Sequence, residues 1–266
     1  MFRKVLTKAL SYRILTGSLK RFVFLYHDIS DSGSLQYSPL YSTQVREFKS
    51  QVELIARHFK LVSLEEVVAD SSNHNQPLAS ITFDDGFLSV KDEALPYLES
   101  KGIPCSVFVN SMAIKQNRLF YGAEMPSINR SYERKIFLDE NDIKDLTAKG
   151  VCIGSHSSTH KVLANCDEET LREEILENKL YIEGLTGTAV KHFALPFGKR
   201  EHYDARVLEQ CRRAGHEFVF STNPTFFKSS SSCYERRLIP RIGLTNQTPA
   251  ELTFMINRPL LKTIDI

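Results

Sequence analysis

Short apolar runs alternate with amphipathic helical patterns along most of this chain. The strand-like runs span residues 21–27, 78–83, 104–109, 151–154, 192–195, 217–221 and 236–239. Strand, helix and strand in repeated succession favour a parallel sheet, because parallel strands need long crossover connections. About seven such units predict an α/β fold, a distorted (β/α) barrel of about seven parallel strands, in preference to an open sheet.

Helical spacing of apolar residues fills most of the intervals between these runs. Helices are predicted over residues 43–59, 139–148, 167–185 and 203–214. Residues 63–66 form a capping box that opens a short helix, and Thr248-Pro249 begins a last one. The polar or irregular stretches 71–76, 118–134 and 222–234 are interpreted as surface loops. At 266 residues the chain is long enough for one sizeable core, so we predict a single domain.

The first twenty residues form a basic amphipathic pattern. Their apolar residues recur at helical spacing, and Arg3, Lys4, Lys8 and Arg13 add positive charge with no acidic residue among them. The pattern predicts a helix over residues 1–20 ahead of a domain over residues 21–266. Packing of this helix on the domain is favoured, and peripheral contact with an anionic membrane face is the alternative. No apolar segment of the signal-peptide kind is present, so we expect a cytoplasmic protein. The alternative is a cytoplasmic protein attached peripherally to the inner face of the membrane.

The composition argues against one class of partner and favours a reducing environment. The formal net charge of +2 and the lack of interleaved aromatic and basic residues argue against nucleic acid as a partner. The 5 cysteines include no close pair, which fits a reducing compartment better than a disulfide framework. Cys105 and Cys152 lie in apolar runs and are interpreted as small buried hydrophobic residues.

Two short segments carry the chemistry. The first, Thr82-Phe83-Asp84-Asp85-Gly86, follows an apolar run, and its glycine permits a sharp turn that would aim both carboxylates into one cavity. Paired aspartates before glycine also occur in ordinary turns. The segment alone therefore leaves a functional and a structural interpretation open.

The second segment places His156 and His160 four positions apart. This is the spacing of the zinc-binding pair in a zincin helix, but the residues between them are poor helix formers and the zincin glutamate is missing. A zincin is thus excluded. The spacing still suits a metal if a third ligand and a base come from elsewhere, and Asp84 and Asp85 are the available candidates. The remaining well-separated histidines are interpreted as structural: His74, His192, His202 and His216.

Together the two segments resemble the motifs of the polysaccharide deacetylase family, which has a NodB-homology domain and is also called carbohydrate esterase family four. The family's first motif is Thr-Phe-Asp-Asp-Gly, and its second is His, Ser or Thr, two variable residues and His. Both stand complete in this chain, and the resemblance extends from about residue 21 to about residue 244. It implies a distorted barrel, a divalent metal held by Asp85, His156 and His160, and Asp84 as the catalytic base.

The resemblance also implies a course for hydrolysis. A metal lowers the pKa of its bound water and polarises an acetamide carbonyl, while Asp84 takes the proton of the water. The oxyanion is stabilised in this family by the backbone N–H that follows the proline of the third motif. That proline corresponds here to Pro196, so the implied donor is the amide of Phe197.

The chain departs from the family pattern near the base. Ala194 stands where the third motif usually carries an arginine, and the chain has no tryptophan for the fourth motif. Arg241 follows a late strand and is predicted to replace that arginine beside the base. The alternative is an ordinary surface arginine.

A second departure concerns the general acid, because the usual C-terminal Leu-x-x-His is absent. The chain is similar to the poly-N-acetylglucosamine deacetylase subgroup in its Tyr26-His27-Asp28 segment and in its aromatic-x-x-Pro-aromatic-Gly third motif. In that subgroup the acid is thought to come from the first strand, so His27 is the predicted general acid. The alternative is a histidine bonded to backbone at the end of a strand. Asp28 is interpreted as a turn or orienting residue.

The sequence thus predicts a metal-dependent N-deacetylase. Its substrate would be an N-acetylated sugar in a polysaccharide, an oligosaccharide or a lipid-linked glycan precursor. Zinc suits two imidazoles and a carboxylate, and nickel, cobalt or manganese suit the same ligands. Two alternatives stay open: a deformylase or other amidohydrolase on the same scaffold, and a non-catalytic carbohydrate-binding descendant.

Overall fold

The computed structural model describes residues 20–31, 41–69, 75–118, 135–228 and 237–261. The helix predicted over residues 1–20 lies outside these ranges except for Lys20. Most of the loop predicted over residues 118–134 also lies outside them, as do residues 229–234 of the last loop. None of the helices within the described ranges has the length and apolar character needed to cross a membrane.

The strands are mostly short, and each predicted run overlaps one. In chain order they are β1 (Arg21–Tyr26), β2 (Asp28–Ile29), β3 (Ser42–Thr43), β4 (Lys60–Leu61), β5 (Leu78–Phe83), β6 (Cys105–Val109), β7 (Cys152–Ser155), β8 (His192–Ala194), β9 (Phe218–Ser221), β10 (Leu238–Pro240) and β11 (Ile242–Gly243).

The helices lie between the strands as predicted for crossover connections. They are α1 (Val45–His58), α2 (Leu64–Val68), α3 (Leu95–Ser100), α4 (Ser111–Gln116), α5 (Glu140–Ala148), α6 (Glu168–Arg172), α7 (Asn178–Thr186), α8 (Ala205–Arg213) and α9 (Pro249–Leu261). A π-helical turn, Val90–Ala94, precedes α3, and a second one, Glu173–Glu177, joins α6 to α7.

Nine strands of the described chain form one parallel sheet. Its order is β10-β9-β8-β7-β6-β5-β1-β11, and β4 pairs with β5 beside this path. The strands β10 and β11 are the two halves of residues 238–243 and are separated only by Arg241. Because β10 pairs with β9 and β11 pairs with β1, this closing segment joins the two ends of the sheet. The sheet is thereby nearly closed into a barrel, and the predicted fold class is confirmed.

Successive side chains of β1 alternate between the barrel interior and the surrounding helices. Val23 belongs to an interior cluster with Phe108 of β6 and Phe220 of β9. Phe24 belongs to a second cluster with Ile55 of α1, between the sheet and the helices. Burial of both faces explains why the strands read as nearly continuous apolar runs.

Helix α2 covers the amino end of the barrel. Val67 belongs to the interior cluster, and Nη1 of Arg21, at the start of β1, donates to the carbonyl of Ala69 at 2.5 Å. The helix begins as predicted, because the Oγ of Ser63 accepts the N–H of Glu66 at 3.1 Å. Only this half of the predicted capping box is formed, since the carboxylate of Glu66 pairs with Nζ of Lys60 at 2.9 Å. The amino end is thus closed by a helix, and the cavity described below lies at the carboxyl end.

Candidate active site

A cavity of about 560 Å³ lies at the carboxyl ends of the barrel strands. Its lining includes five residues that follow strands in the sequence, His27, Asp84, Asp85, His156 and His160. Parallel strands bring such residues to one edge of a sheet, which is where barrels of this class carry their sites. Six of the predicted site residues, these five and Phe197, therefore line one cavity.

A sharp turn after β5 presents the two aspartates. Asp84 continues the strand register, since its N–H donates to the carbonyl of Tyr26 at 3.0 Å. Asp85 and Gly86 both have a φ of 69°, in the left-handed region. A Cβ on Gly86 would lie 3.0 Å from Cγ1 of Val109, so glycine is favoured both by the backbone conformation and by the space. A non-glycine residue held at positive φ, as Asp85 is, is a form of strain that often accompanies functional sites.

The segment between His156 and His160 is a tight turn and not a helix. Ser157 and His160 have φ values of 64° and 62°, and the Oγ of Ser157 accepts the N–H of His160 at 3.1 Å. Asn110, which follows β6, donates to the carbonyl of Ser157 at 3.0 Å. Glu174 is buried and accepts the N–H of Thr159 at 2.8 Å. The turn is thus held from two neighbouring elements.

The turns after β5 and β7 bring three ligand-type atoms together. The Oδ1 of Asp85 lies 3.4 Å from the Nε2 of His156 and 3.4 Å from the Nε2 of His160. The Nδ1 of His156 lies 2.8 Å from the carbonyl of Ala194. A carbonyl only accepts, so Nδ1 of His156 carries a proton and Nε2 is the nitrogen directed at Asp85 and the cavity.

Burial and mutual charge set the ionisation of this cluster. Burial would raise the pKa of Asp85, but His160 and His156 hold it well below its usual range. Burial lowers the pKa of His160 to about 4, so this imidazole is neutral at pH 7. Burial also acts to lower the pKa of His156, but the carboxylates of Asp84 and Asp85 raise it above its usual value.

Asp84 is paired with a buried arginine. Its Oδ1 and Oδ2 accept from Nη1 and Nη2 of Arg241, each at 2.7 Å, and both side chains are at most 2 % exposed. Burial would raise the pKa of Asp84, but the guanidinium of Arg241 holds it below its usual value. The guanidinium carbon lies 5.3 Å from the ring centre of Phe108 in the barrel interior. Arg241 therefore reaches Asp84 from the closing segment, and not from position 194.

His27 lies on the same cavity, directly after β1. Burial lowers the pKa of His27, against the opposing effect of the carboxylates of Asp85 and Asp84. Its ring contacts that of Tyr41 edge-on, with ring centres 5.2 Å apart. The next residue, Asp28, does not line the cavity, and its carboxylate accepts from three serine hydroxyls at 2.6–2.7 Å, those of Ser30, Ser42 and Ser89.

The third-motif segment forms another turn with left-handed backbone. Phe197 has a φ of 60° and Gly198 a φ of 68°. A Cβ on Gly198 would lie 2.8 Å from the backbone nitrogen of Thr222, so only glycine fits this close approach. The Oγ1 of Thr222 donates to the carbonyl of Phe197 at 2.8 Å, and the ring of Phe197 packs 4.7 Å from that of His160.

The donor set of the cluster fits a divalent metal. Asp85, His156 and His160 each offer one atom, and these atoms lie within 4.8 Å of one another. Two imidazoles and one carboxylate are a common catalytic zinc set, which leaves one coordination position for water or substrate. The separations of 3.4 Å between the carboxylate oxygen and both Nε2 atoms suit ligands of one ion with bonds of about 2.0–2.2 Å.

Other lining residues carry no sequence signal of the same strength. Tyr41 follows a segment outside the described residues, and no periodicity or motif marks it. His202 is interpreted from the sequence as structural, yet it lines the cavity together with Lys199 and Glu201. Its ring centre lies 5.2 Å from that of Phe197. The position of this short segment directly after the third motif is the signal that would have identified it.

Fold and site together define an α/β barrel with buried carboxylates and imidazoles converging at the carboxyl ends of its strands. The sequence profile of the family described as polysaccharide deacetylase matches residues 71–219, more than half of the 266-residue chain. The chain therefore belongs to the polysaccharide deacetylase family, as the two motifs predict.

Similar proteins agree with this assignment. YxkH of Bacillus subtilis (strain 168), whose name places it among the polysaccharide deacetylases, is 20% identical over 206 residues, which cover 76% of this chain and 64% of that protein. The chain thus spans less than two thirds of this curated relative. The structure of IcaB from Ammonifex degensii has a TM-score of 0.72 at 21% identity, with 92% of this chain and 99% of that chain covered. Streptococcus pyogenes PplD, a deacetylase solved with acetate, has a TM-score of 0.70 at 18% identity, with 93% and 99% covered. At these identities the structural matches show the shared fold.

Proposed function

We propose that this protein is a metal-dependent carbohydrate N-deacetylase that hydrolyses the acetamide of an N-acetylated sugar. The observation that carries the proposal is the buried pair of Asp84 and Arg241 beside the convergent atoms of Asp85, His156 and His160. One carboxylate is thereby available for proton transfer and the other for metal binding. Membership of the polysaccharide deacetylase family supports the same chemistry.

Asp85, His156 and His160 would hold the metal. When bound, the metal supplies a Lewis acid that polarises the acetamide carbonyl and acidifies a water. The chain prepares these ligands in advance. His160 is neutral at pH 7, Asp85 is ionised, and the bond from His156 to the carbonyl of Ala194 fixes the tautomer that points Nε2 at the cavity.

Asp84 acts as the general base in this proposal. Its carboxylate is kept ionised by Arg241, whose two N–H bonds also fix its orientation. The carboxylate takes one proton from the attacking water, and the oxygen of that water forms a bond to the acetyl carbon. The carbonyl π electrons move to oxygen, where the N–H of Phe197 is the proposed donor to the resulting anion.

Collapse of this tetrahedral species requires a proton on the leaving nitrogen. His27 is the proposed source, because it lines the cavity and follows the strand next to β5. As the oxyanion reforms the carbonyl, the C–N bond breaks and the nitrogen takes the proton of His27. The products are acetate and a free amino sugar. Because burial lowers the pKa of His27, its imidazole is mostly neutral at pH 7, so in this proposal it must gain the proton during turnover, and the proton that Asp84 takes from the water is the available one.

Catalysis is favoured over carbohydrate binding alone by the second carboxylate. A binding protein would need Asp85 and the two histidines to hold a metal, but it would not need a buried base with its own arginine. The arginine that usually pairs with the base comes from the third motif, where this chain has Ala194. Arg241 takes its place beside Asp84. A deformylase would use the same residues, so the acyl group must be decided by product analysis.

The direct test is acetate release from N-acetylglucosamine oligomers by the purified full-length chain. We expect turnover with added zinc or cobalt, its loss in a chelator, and its recovery when metal is restored. Asp84→Asn should bind one equivalent of metal at the cluster and release no acetate. Asp145→Asn, a change at an exposed aspartate outside the cavity, is the matched control and should be fully active.

Three outcomes would contradict the proposal. Release of formate from N-formyl sugars without acetate release would make the protein a deformylase. Glycan binding that is equal in the wild type and Asp84→Asn, with no hydrolysis in either, would make it a binding protein. Full activity in a chelator would remove the metal from the mechanism.

A further inference from the structure

A second group of ligand-type side chains lies at the amino end of the barrel, opposite the cavity. Glu65 is on α2, Cys152 is the first residue of β7, and His192 is the first residue of β8. From the sequence, Cys152 is interpreted as a buried hydrophobic residue and His192 as structural. The fold brings them together because β7 and β8 are neighbours in the sheet and α2 covers this end of the barrel.

The distances within this group are those of a convergent site. The Sγ of Cys152 lies 3.8 Å from the Nδ1 of His192, and the Oε1 of Glu65 also lies 3.8 Å from that nitrogen. All three ligand atoms lie within 4.8 Å of one another. Ligands around tetrahedral zinc, with bonds of about 2.0–2.3 Å, are about 3.3–3.8 Å apart. Small side-chain rotations would therefore bring the three atoms onto one ion.

The same distances argue against a nucleophile relay. In a cysteine–histidine–carboxylate relay, the thiol contacts one ring nitrogen and the carboxylate contacts the other. Here the thiol and the carboxylate both face Nδ1 of His192. Three groups directed at one point match the coordination of an ion.

The three side chains differ in burial and in protonation state. His192 is 3 % exposed, and its ring packs edge-on against that of Phe220 at 5.6 Å, which limits its rotation. Burial lowers the pKa of His192, so its imidazole is neutral at pH 7. Burial and the carboxylate of Glu65 raise the pKa of the Cys152 thiol, so an ion binding there would displace its proton. Glu65 is 52 % exposed, which leaves a solvent path to the group.

We propose that Glu65, Cys152 and His192 form a second divalent-metal site, separate from the cavity at the carboxyl end. A thiolate, an imidazole and a carboxylate with a solvent-accessible fourth position match tetrahedral zinc, and cobalt takes the same set. Such an ion would tie the short helix α2 to β7 and β8. Its role would be structural, because no cavity residue named above touches it.

Cobalt substitution separates the two sites, because the cluster at Asp85 contains no sulfur. The experiment uses the full-length chain, reduced and stripped by a chelator, and then titrated with Co²⁺ alone. We expect the near-ultraviolet charge-transfer absorption of a cobalt thiolate to reach the intensity of one thiolate-bound ion when two equivalents are bound, because the cluster at Asp85 takes the other equivalent. Cys152→Ser should abolish this absorption and reduce the bound metal from two equivalents to one. Cys166→Ser removes another partly exposed free thiol and should leave both unchanged.

Further variants make the result independent of folding. His192→Gln should weaken the thiolate absorption in a protein whose circular dichroism is unchanged. Asp85→Asn should keep the absorption and lose the other equivalent, whatever its effect on acetate release. Cys152→Ser should release acetate at the wild-type rate. The proposal is overturned if the wild type shows no thiolate absorption, or if the absorption survives Cys152→Ser.

Discussion

The cavity has two walls of different origin. The sheet wall consists of side chains at or just after the carboxyl ends of strands, and the triad of Asp85, His156 and His160 within it is at most 4 % exposed. The loop wall consists of Tyr41, Lys199, Glu201 and His202, which are partly or fully exposed. Buried charges depend on their partners, because an unpaired one has lost its hydration without compensation. In the proposed reaction the sheet wall supplies the reacting groups, and the loop wall, whose side chains reach solvent, contacts the sugar.

The largest expected effect is on the sheet wall, at the base. Asp84→Asn keeps the shape but cannot take a proton, so we expect kcat to fall by about 10²–10⁴. Metal content, measured by elemental analysis, should stay at the wild-type value because Asp85 and both histidines remain. An equal loss of metal and activity would show that Asp84 belongs to the metal cluster, and the division of labour within this wall would be wrong.

The second effect tests His27, which joins the sheet wall to the neighbouring Tyr41. His27→Gln should lower kcat on an N-acetyl sugar by about 10² because the leaving amine then lacks its proton. The loss should be much smaller on 4-nitrophenyl acetate, whose leaving group needs no proton. Equal losses on both substrates would assign His27 a structural role at the end of the strand.

The third effect tests what Arg241 contributes to activity and to stability as the partner of Asp84. Arg241→Met should lower kcat/KM by about 10–100-fold, as loss of an orienting partner does in comparable sites. It should also destabilise the fold by about 3–5 kcal/mol, since a buried carboxylate is left unpaired. Thermal and urea unfolding would measure that cost.

The pH profile of Arg241→Met tests the direction in which Arg241 shifts the pKa of Asp84. Arg241 holds the pKa of Asp84 below its usual value against burial, which acts to raise it. The stabilising contribution of the pair is therefore present above the ordinary carboxyl pKa and is lost as the pH falls through the lowered one. Without Arg241, burial dominates, and the acidic limb of kcat/KM should move to higher pH. An unshifted limb would mean that Arg241 does not tune the base.

The smallest effect is expected on the loop wall. Glu201→Gln should change KM by a few-fold and leave kcat and unfolding free energy nearly unaltered, within about 0.5 kcal/mol. Glu217→Gln, at an exposed glutamate paired with Lys191 far from the cavity lining, is the control. A large fall in kcat for Glu201→Gln would break the comparison, because a residue of the loop wall would then act in the reaction itself.

The two walls also differ in how far the sequence predicts them. Asp84, Asp85 and His156 follow the apolar runs 78–83 and 151–154, and the rule that such residues gather at one edge of a parallel sheet is sufficient to group them. Tyr41 and Glu201 reach the cavity from irregular segments, whose course depends on packing that no local pattern records. The sequence therefore assigns His202 a structural role, although its side chain lines the cavity.

Some strands and helices cannot be predicted from the sequence, for similar reasons. The strands β2, β3, β4 and β11 have two residues each, too few to show a period. The sequence does not predict α3, whose second residue is Pro96, or the short helix α4. The predicted strand over residues 236–239 stops short of β11, because the change of partner at Arg241 depends on strands distant in sequence. The left-handed backbone of Asp85 and Phe197 is likewise set by tertiary contacts.

The pair of Arg241 and Asp84 can form only after the closing segment, residues 238–243, has folded into the sheet. Leu25 near the start of the described chain pairs with Gly243 near its end, so this contact closes a loop of almost the whole domain. Contacts between residues so far apart in sequence slow folding, because the entropy of closing a long loop is lost before the contact forms. Arg241 reaches Asp84 only when residues 238–243 are seated between β9 and β1. A chain in which this segment is not yet seated would hold Asp84 without the arginine that lowers its pKa, so the proposed hydrolysis would require a closed barrel.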